Sequence, residues 1–363
     1  MDNPVKKSRF RRINSRSGRV IGLVILGIVL VLVPVFVESP YYVHLLIMVG
    51  INSVLAMTFI LMLRTGLITL AIAAFLGIGA YTSALLAMEL NLPFWLALPA
   101  STVITGIVGF FLGYLMVKNS GFSFIILSLV VAFVVYLIFG TFDFFGGYIG
   151  IVNIPRPEPI PLPFLAPIEF TSKTPYYYLM LFLVLIVVLA FSAFYNAWTG
   201  RAWRAIGLSP RLAESLGVSL FKYRLLAFVI AATAAGLMGS FYAHYFQALV
   251  PSTFGPFKTI YVHLYAILGG IGFPIAGPIF GSLIMTIVPE VLRVTRSVEP
   301  MITGALVIIL VMFLPNGLLG LTTSWRSLAH PSPNILRIGR WIRAQLPINN
   351  QDQRARNGDS TRN

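Results

Sequence analysis

Apolar residues in this chain gather in long, nearly unbroken stretches, and charged residues fall mostly in the joints between them. The stretches at 20–37, 41–63, 67–88, 95–117, 122–141, 176–195, 225–246, 259–270, 275–292 and 300–315 each read as a membrane span, the eighth being the shortest. A spanning helix needs about 17–25 largely apolar residues. Lipid tolerates only helices and closed barrels, because every backbone polar group must find an internal partner. Tyr178–Phe194 is apolar almost throughout, whereas a barrel strand would alternate. The pattern therefore predicts an all-α, polytopic helical bundle of about ten spans.

Composition agrees. The chain is 58% hydrophobic and 10% charged, against about a quarter charged in soluble domains. It has no cysteine, which excludes disulfides, zinc–thiolate sites and cysteine nucleophiles. The net charge of +15 first suggests nucleic acid, but its placement points elsewhere. Seven Lys/Arg lie in the first 19 residues, ahead of the apolar run Val20–Val37. No A-x-A cleavage site follows and more spans come after, so this run reads as a retained span rather than a signal peptide. With the N-terminus inside, 21 of the 26 basic residues fall on inner segments; Lys258 is one of the five placed outside. That bias is the positive-inside signal. It predicts both termini in the cytoplasm, in a prokaryotic cell membrane, with no nucleic-acid partner.

The expected organisation is a basic tail at 1–19, a membrane domain at 20–321 and a second basic tail at 322–363. In that last tail Asn334 can cap a helix whose Ile335, Ile338, Ile342 and Trp341 suit a lipid surface, with Arg337, Arg340 and Arg343 beside them. Two further segments are not spans. The outer loop 142–175 holds seven prolines after Gly146, Gly147 and Gly150, which makes it stiff; it suits a docking surface, a gate or a plain connection. In the inner segment 196–224, Ser209 is a good N-cap, Pro210 a good first residue and Gly217 a good C′ residue. The helix they bracket, 210–216, is too short to stand alone. It presents Leu212 and Leu216 on one face, so it needs the membrane surface or a partner protein to pack against.

Small residues recur at helical spacing: Ala73, Gly77, Ala80 and Ala84; Gly109 and Gly113; Ala232, Gly236, Gly239 and Ala243; Gly277 and Gly281. Such faces let helix backbones approach closely. The chain has no phosphate-binding loop of the G-x-x-x-x-G-K-[ST] kind. No ionisable residue falls near the middle of an expected span, and no His/Glu pair has metal-ligand spacing. His44, His244 and His263 read as structural. These features disfavour an ion-coupled transporter and a membrane enzyme. They leave a passive channel or a permease powered from outside, with a pathway expected beside Thr69, Thr82, Tyr261, Gly269 and Gly270.

Several motifs carry a resemblance. Gly66–Leu67 with Ala74–Phe75–Leu76–Gly77–Ile78–Gly79–Ala80–Tyr81–Thr82 is one, and Gly200–Arg201–Ala202–Trp203–Arg204–Ala205–Ile206 leading to Ala213–Glu214–Ser215–Leu216–Gly217 is another. Leu268–Gly269–Gly270–Ile271–Gly272 and Pro315–Asn316–Gly317–Leu318–Leu319–Gly320–Leu321 follow in order. Over about 45–321 the chain resembles the permease subunits of branched-chain amino-acid ABC importers, LivM type. The resemblance implies a second, homologous permease, two cytoplasmic ABC ATPase subunits and an extracytoplasmic solute-binding protein. It implies neither cofactor nor metal, and no enzymatic activity in this chain. It places the ATPase-coupling segment at Arg204, Leu212, Ala213, Glu214, Ser215, Leu216 and Gly217. The chain departs from the family at Thr69–Leu70–Ala71–Ile72, where S-L-G-H is usual, and at Tyr261, where a glutamate is common. Gly207–Leu208 also replace the usual charged residues. Branched-chain amino acids are the implied cargo; urea or a short amide, and a stand-alone channel, stay open as alternatives.

Overall fold

The computed structural model describes residues 39–159 and 169–291, with the single positions 31, 32, 34, 304, 317 and 318. Apart from those positions, the expected spans at 20–37 and 300–315 and the tail helix from Asn334 lie outside the described residues.

Ten α-helices are described: α1 (Pro40–Leu63), α2 (Ile72–Glu89), α3 (Phe94–Met116), α4 (Phe122–Thr141), α5 (Lys173–Asn196), α6 (Trp198–Leu208), α7 (Pro210–Ser215), α8 (Leu220–Phe246), α9 (Pro256–Gly269) and α10 (Ala276–Val291). Six of them, α1 to α5 and α8, are long and apolar enough to cross a membrane. The protein is thus an all-α polytopic membrane protein. The eighth expected span is α9, a helix of 14 residues, and the ninth is α10, of 16. At 1.5 Å per residue α9 is only about 21 Å long.

The long helices divide by burial. In α1 83% of the most apolar stretch is buried, and in α2 and α8 67%; in α3, α4 and α5 the share is 22–28%. The first three form the centre. The others turn large apolar side chains outward, such as Phe111 on α3, Phe133 on α4 and Phe182 on α5, as lipid-facing helices do. The expected small residues of α3, α8 and α10 lie at helix crossings, but on α2 the glycine at the crossing is Gly79, off the expected face, while Gly77 meets the Phe139 and Phe254 side chains. Gly79 of α2 sits against the Gly236 carbonyl of α8, and Gly239 of α8 against the Leu76 carbonyl of α2, with no room for a Cβ at either. Gly109 of α3 meets Ala232, and Gly113 meets Phe228. Gly269, Gly277 and Gly281 bring α9 and α10 into backbone contact.

One end of the bundle carries Arg64, Lys118, Arg204 and Arg224; it is called the basic end below. At the far end Ile151–Val152 (β1) pairs antiparallel with Ala248–Leu249 (β2) in the register Ile151↔Leu249. Ile154 N–H donates to the Gln247 carbonyl at 3.2 Å. His244 Nδ1 donates to the Pro155 carbonyl at 2.8 Å, and its Nε2 accepts from Ser83 Oγ at 3.0 Å. Ser240 Oγ donates to Ser83 Oγ at 2.7 Å. The first half of the proline-rich loop is thereby tied to the ends of α2 and α8.

The expected span 67–88 is not one continuous helix. The chain leaves α1 at Arg64 and stays non-helical until Ile72, with Gly66 at φ 74°. Parallel packing of α2 on α8 sets Ile72 level with the middle of α8, so the non-helical segment climbs into the membrane interior. Irregular backbone is tolerated at that depth only when protein groups satisfy it, and here they do. Arg224 Nε donates to the Thr65 carbonyl at 3.3 Å, and His263 Nε2 to the Thr69 carbonyl at 2.9 Å. Ser128 Oγ accepts from Leu70 N–H at 2.9 Å, Thr69 Oγ1 from Ala71 N–H at 3.2 Å and Thr259 Oγ1 from Ala73 N–H at 3.0 Å.

Candidate functional site

The partners of this break come from α4, α8 and α9, so a polar centre forms where hydropathy shows only apolar spans. Lys258 joins it. Its Nζ lies 3.4 Å from Asn52 Oδ1. Asn52 is buried in α1 and is the thirteenth of that helix's 24 residues, roughly 18 Å from either end. The charge tally of the sequence placed Lys258 in an outer loop. It belongs instead at mid-depth, because α9 begins at Pro256, already inside the bundle. The expectation that no ionisable residue lies near the middle of the membrane is corrected on the same ground. A lysine there costs roughly 3 kcal/mol on insertion scales, which marks it for function. His263, further along α9, packs against Phe59 with ring centroids 4.0 Å apart and the planes tilted by 42°. The segment Thr69–Ile72, which lacks the family's histidine, thus receives one from another helix.

Of the expected pathway residues, Thr69 belongs to this centre through its hydrogen bonds to His263 and Ala71, whereas Tyr261 takes no part in the hydrogen bonds that satisfy the break among the described residues. Thr69 is buried and Tyr261 is exposed on the outward face of α9. Gly269 and Gly270 close α9: Gly270 has φ 113°, and Gly269 packs on Gly277 of α10 without room for a side chain. Thr82 stands apart, lining an apolar cleft of about 410 Å³ between α2, α3 and α4. The neighbouring Tyr81 hydroxyl is buried with no hydrogen-bond partner among the described residues.

Replacing His263 by phenylalanine keeps the ring beside Phe59 but leaves the Thr69 carbonyl without its donor. An orphaned buried acceptor costs about 1–3 kcal/mol. The expected result is a clear fall in the melting temperature of the detergent-solubilised protein, read by thermal-shift fluorescence; an unchanged melting temperature would remove the hydrogen bond from the account.

At the basic end α6 and α7 form a bent unit between α5 and α8. Ser209 Oγ accepts from Leu212 N–H at 3.4 Å, and α7 ends at Ser215, one residue earlier than expected. Gly217 takes φ 84°, its N–H bonded to the Glu214 carbonyl at 2.9 Å while Val218 N–H reaches the Ala213 carbonyl at 3.0 Å. That is a Schellman closure, which needs a glycine-like C′ residue. Trp203 is fully buried and donates Nε1–H to the Tyr223 carbonyl at 2.9 Å. Gly207 touches the Arg64 carbonyl, and Arg64 lies over the Tyr195 ring. Arg204 Nε donates to the Gly200 carbonyl, while Ser215 Oγ donates to the Leu212 carbonyl. Of α7 only Ala213 is buried. Leu208, Leu212 and Leu216 are 89%, 60% and 74% exposed. Glu214 and Gly217 border a cleft of about 490 Å³ with Lys118 and Arg224. The sequence flagged Leu212 and Leu216; Leu208 extends the same apolar surface and was passed over as a departure from the family's charged pattern.

Membrane-crossing helices around a polar break, with a firmly mounted apolar projection at one end, define a polytopic permease. The comparisons with known proteins agree with this class. The chain belongs to the family described as branched-chain amino acid transport system / permease component, whose model matches residues 41–314. The LivM permease protein of a high-affinity branched-chain amino acid transport system from Salmonella typhimurium is 27% identical over 298 residues, covering 77% of this chain and 68% of the relative. Its counterpart in Escherichia coli K12 matches to the same extent. The E. coli LivH permease protein is 31% identical over 123 residues, 33% of this chain and 39% of the relative. No solved structure matches the chain.

Proposed function

We propose that this chain is the translocating subunit of an ATP-driven importer for a branched-chain or similar amino acid. The basic end faces the cytoplasm, as the charge bias requires. ATP is hydrolysed by two separate ABC ATPase subunits, and a solute-binding protein delivers the cargo at the far end. A second permease completes the membrane part, a role supported by the likeness of both LivM and LivH to this chain.

The observation that carries the reading is the apolar surface of Leu208, Leu212 and Leu216. Three leucines facing water on a unit locked by Trp203 are unfavourable unless something covers them, since each buried leucine is worth about 1.5–3 kcal/mol. A groove on an ATPase is the occupant the family implies. Closure of the ATPase pair would move α7, and the Trp203 and Gly207 contacts would pass that motion to α8 and to the segment 64–71.

The test is the double variant Leu212→Asp/Leu216→Asp, co-expressed with the partner ATPase subunits. The expected result is at least a tenfold loss of ATPase co-purifying with the chain, with the chain's own amount in the membrane unchanged. Normal assembly in the double variant would refute the docking assignment.

A further inference from the structure

We propose that Lys258 is the anion-binding residue of a solute site at mid-depth, and that the solute is an aliphatic carboxylate. The proposal deepens the reading above by naming the group on the cargo that this chain recognises.

Among the described residues Lys258 Nζ has one hydrogen-bond partner, the neutral Oδ1 of Asn52 at 3.4 Å. Among the described residues no carboxylate pairs with it. Buried charges are normally paired or hydrogen-bonded to saturation, and an ammonium has three donors. A glutamine would join α9 to Asn52 without bringing a charge into the membrane, so the hydrogen bond alone does not account for a lysine. The first turn of α9 adds the positive end of a helix to the same place. Among the described residues the centre therefore holds positive charge without matching negative charge, and a carboxylate from the solute would supply it. The ammonium itself is enclosed, while the neighbouring Phe257, Ile260 and Tyr261 on the same helix are exposed. They lay apolar surface beside the ammonium, as a branched aliphatic side chain requires. A lipid phosphate does not suit, because Asn52 stands about 18 Å from either end of α1, well below the headgroups. Urea, being neutral, has no use for the charge.

The absence of cysteine gives a direct test. Tyr261→Cys places the chain's sole thiol one turn from Lys258. In membranes containing the full chain, without nucleotide, its alkylation by N-ethylmaleimide is timed in the presence of leucine, 4-methylpentanoate or the neutral 4-methylpentanamide. The expected result is at least a fivefold slowing by leucine and by the carboxylate, and less than twofold by the amide. Adding Lys258→Gln should abolish the protection; adding Lys258→Arg should keep it. Equal slowing by carboxylate and amide, no slowing by any of them, or protection that survives Lys258→Gln would overturn the assignment. The measurement uses neither ATP nor ATPase, so it fails separately from the proposal of ATP-driven import.

Discussion

A leucine in place of Gly239 is expected to reduce the folded protein in the membrane at least tenfold. The glycine lies where α8 crosses α2, against the Leu76 carbonyl and the Ala80 amide. Those atoms are backbone and cannot turn aside, so the two central helices must separate. Separation would also strain the reciprocal contact of Gly79 with the Gly236 carbonyl and the Ser240–Ser83–His244 chain above it. Overpacking commonly costs 1–3 kcal/mol and sometimes more; a backbone clash at the centre of the bundle places this one at about 3 kcal/mol or above. Quantitative blotting of membrane fractions, with size-exclusion of the solubilised protein, reads the effect. Gly272→Ala is the control, since nothing lies within 4 Å of a Cβ there. Equal amounts of Gly239→Leu and wild type would show that the α2–α8 crossing is not close-packed.

The second large effect is expected at Trp203. Removing a fully buried tryptophan costs about 3–5 kcal/mol, and Trp203→Ala also leaves the Tyr223 carbonyl without its donor. The damage is local, because Trp203 fastens α6 to α8 while Leu212 and Leu216 remain exposed for docking. ATPase should still co-purify and hydrolyse ATP, but hydrolysis should no longer move solute. The expected signature is at least a tenfold loss of uptake with ATP hydrolysis kept within threefold. Trp203→Phe, which keeps most of the packing and loses the hydrogen bond, should fall between. Parallel loss of uptake and hydrolysis in Trp203→Ala would mean that the residue only holds the protein together.

Local signals in the sequence were read with least error. Ser209, Pro210 and Gly217 bracket α7 because capping is decided within a few residues, and the boundary moved by one. The small residues of α3, α8 and α10 were visible as spacing alone, since close helix crossings require small side chains, whereas on α2 the crossing falls at Gly79, outside the expected face. The break at 64–71 was not visible. Its Leu, Ile and Ala residues are as apolar as a span, and the groups that satisfy its backbone, His263, Thr259, Ser128 and Arg224, lie far away in sequence. Lys258 was misplaced for a related reason. Counting charges by loop assumes that each helix runs from one surface to the other, and α9 does not. Thr69 was chosen for polarity in the right region and joins the hydrogen bonds of the break, whereas Tyr261 is exposed on α9 and Thr82 faces a different cleft because α2 turns that side toward α3 and α4.

The central claim is that this chain moves an amino acid only when ATP is hydrolysed at its basic end. The most direct test reconstitutes the chain with its second permease and ATPases in proteoliposomes, with the solute-binding protein and labelled leucine supplied to the far end. The account predicts that leucine accumulates above its external concentration when ATP is present on the basic-end side, and that the Leu212→Asp/Leu216→Asp variant does not accumulate it. Leucine that equilibrates equally fast with and without ATP, or that accumulates in the double variant as in wild type, would contradict it.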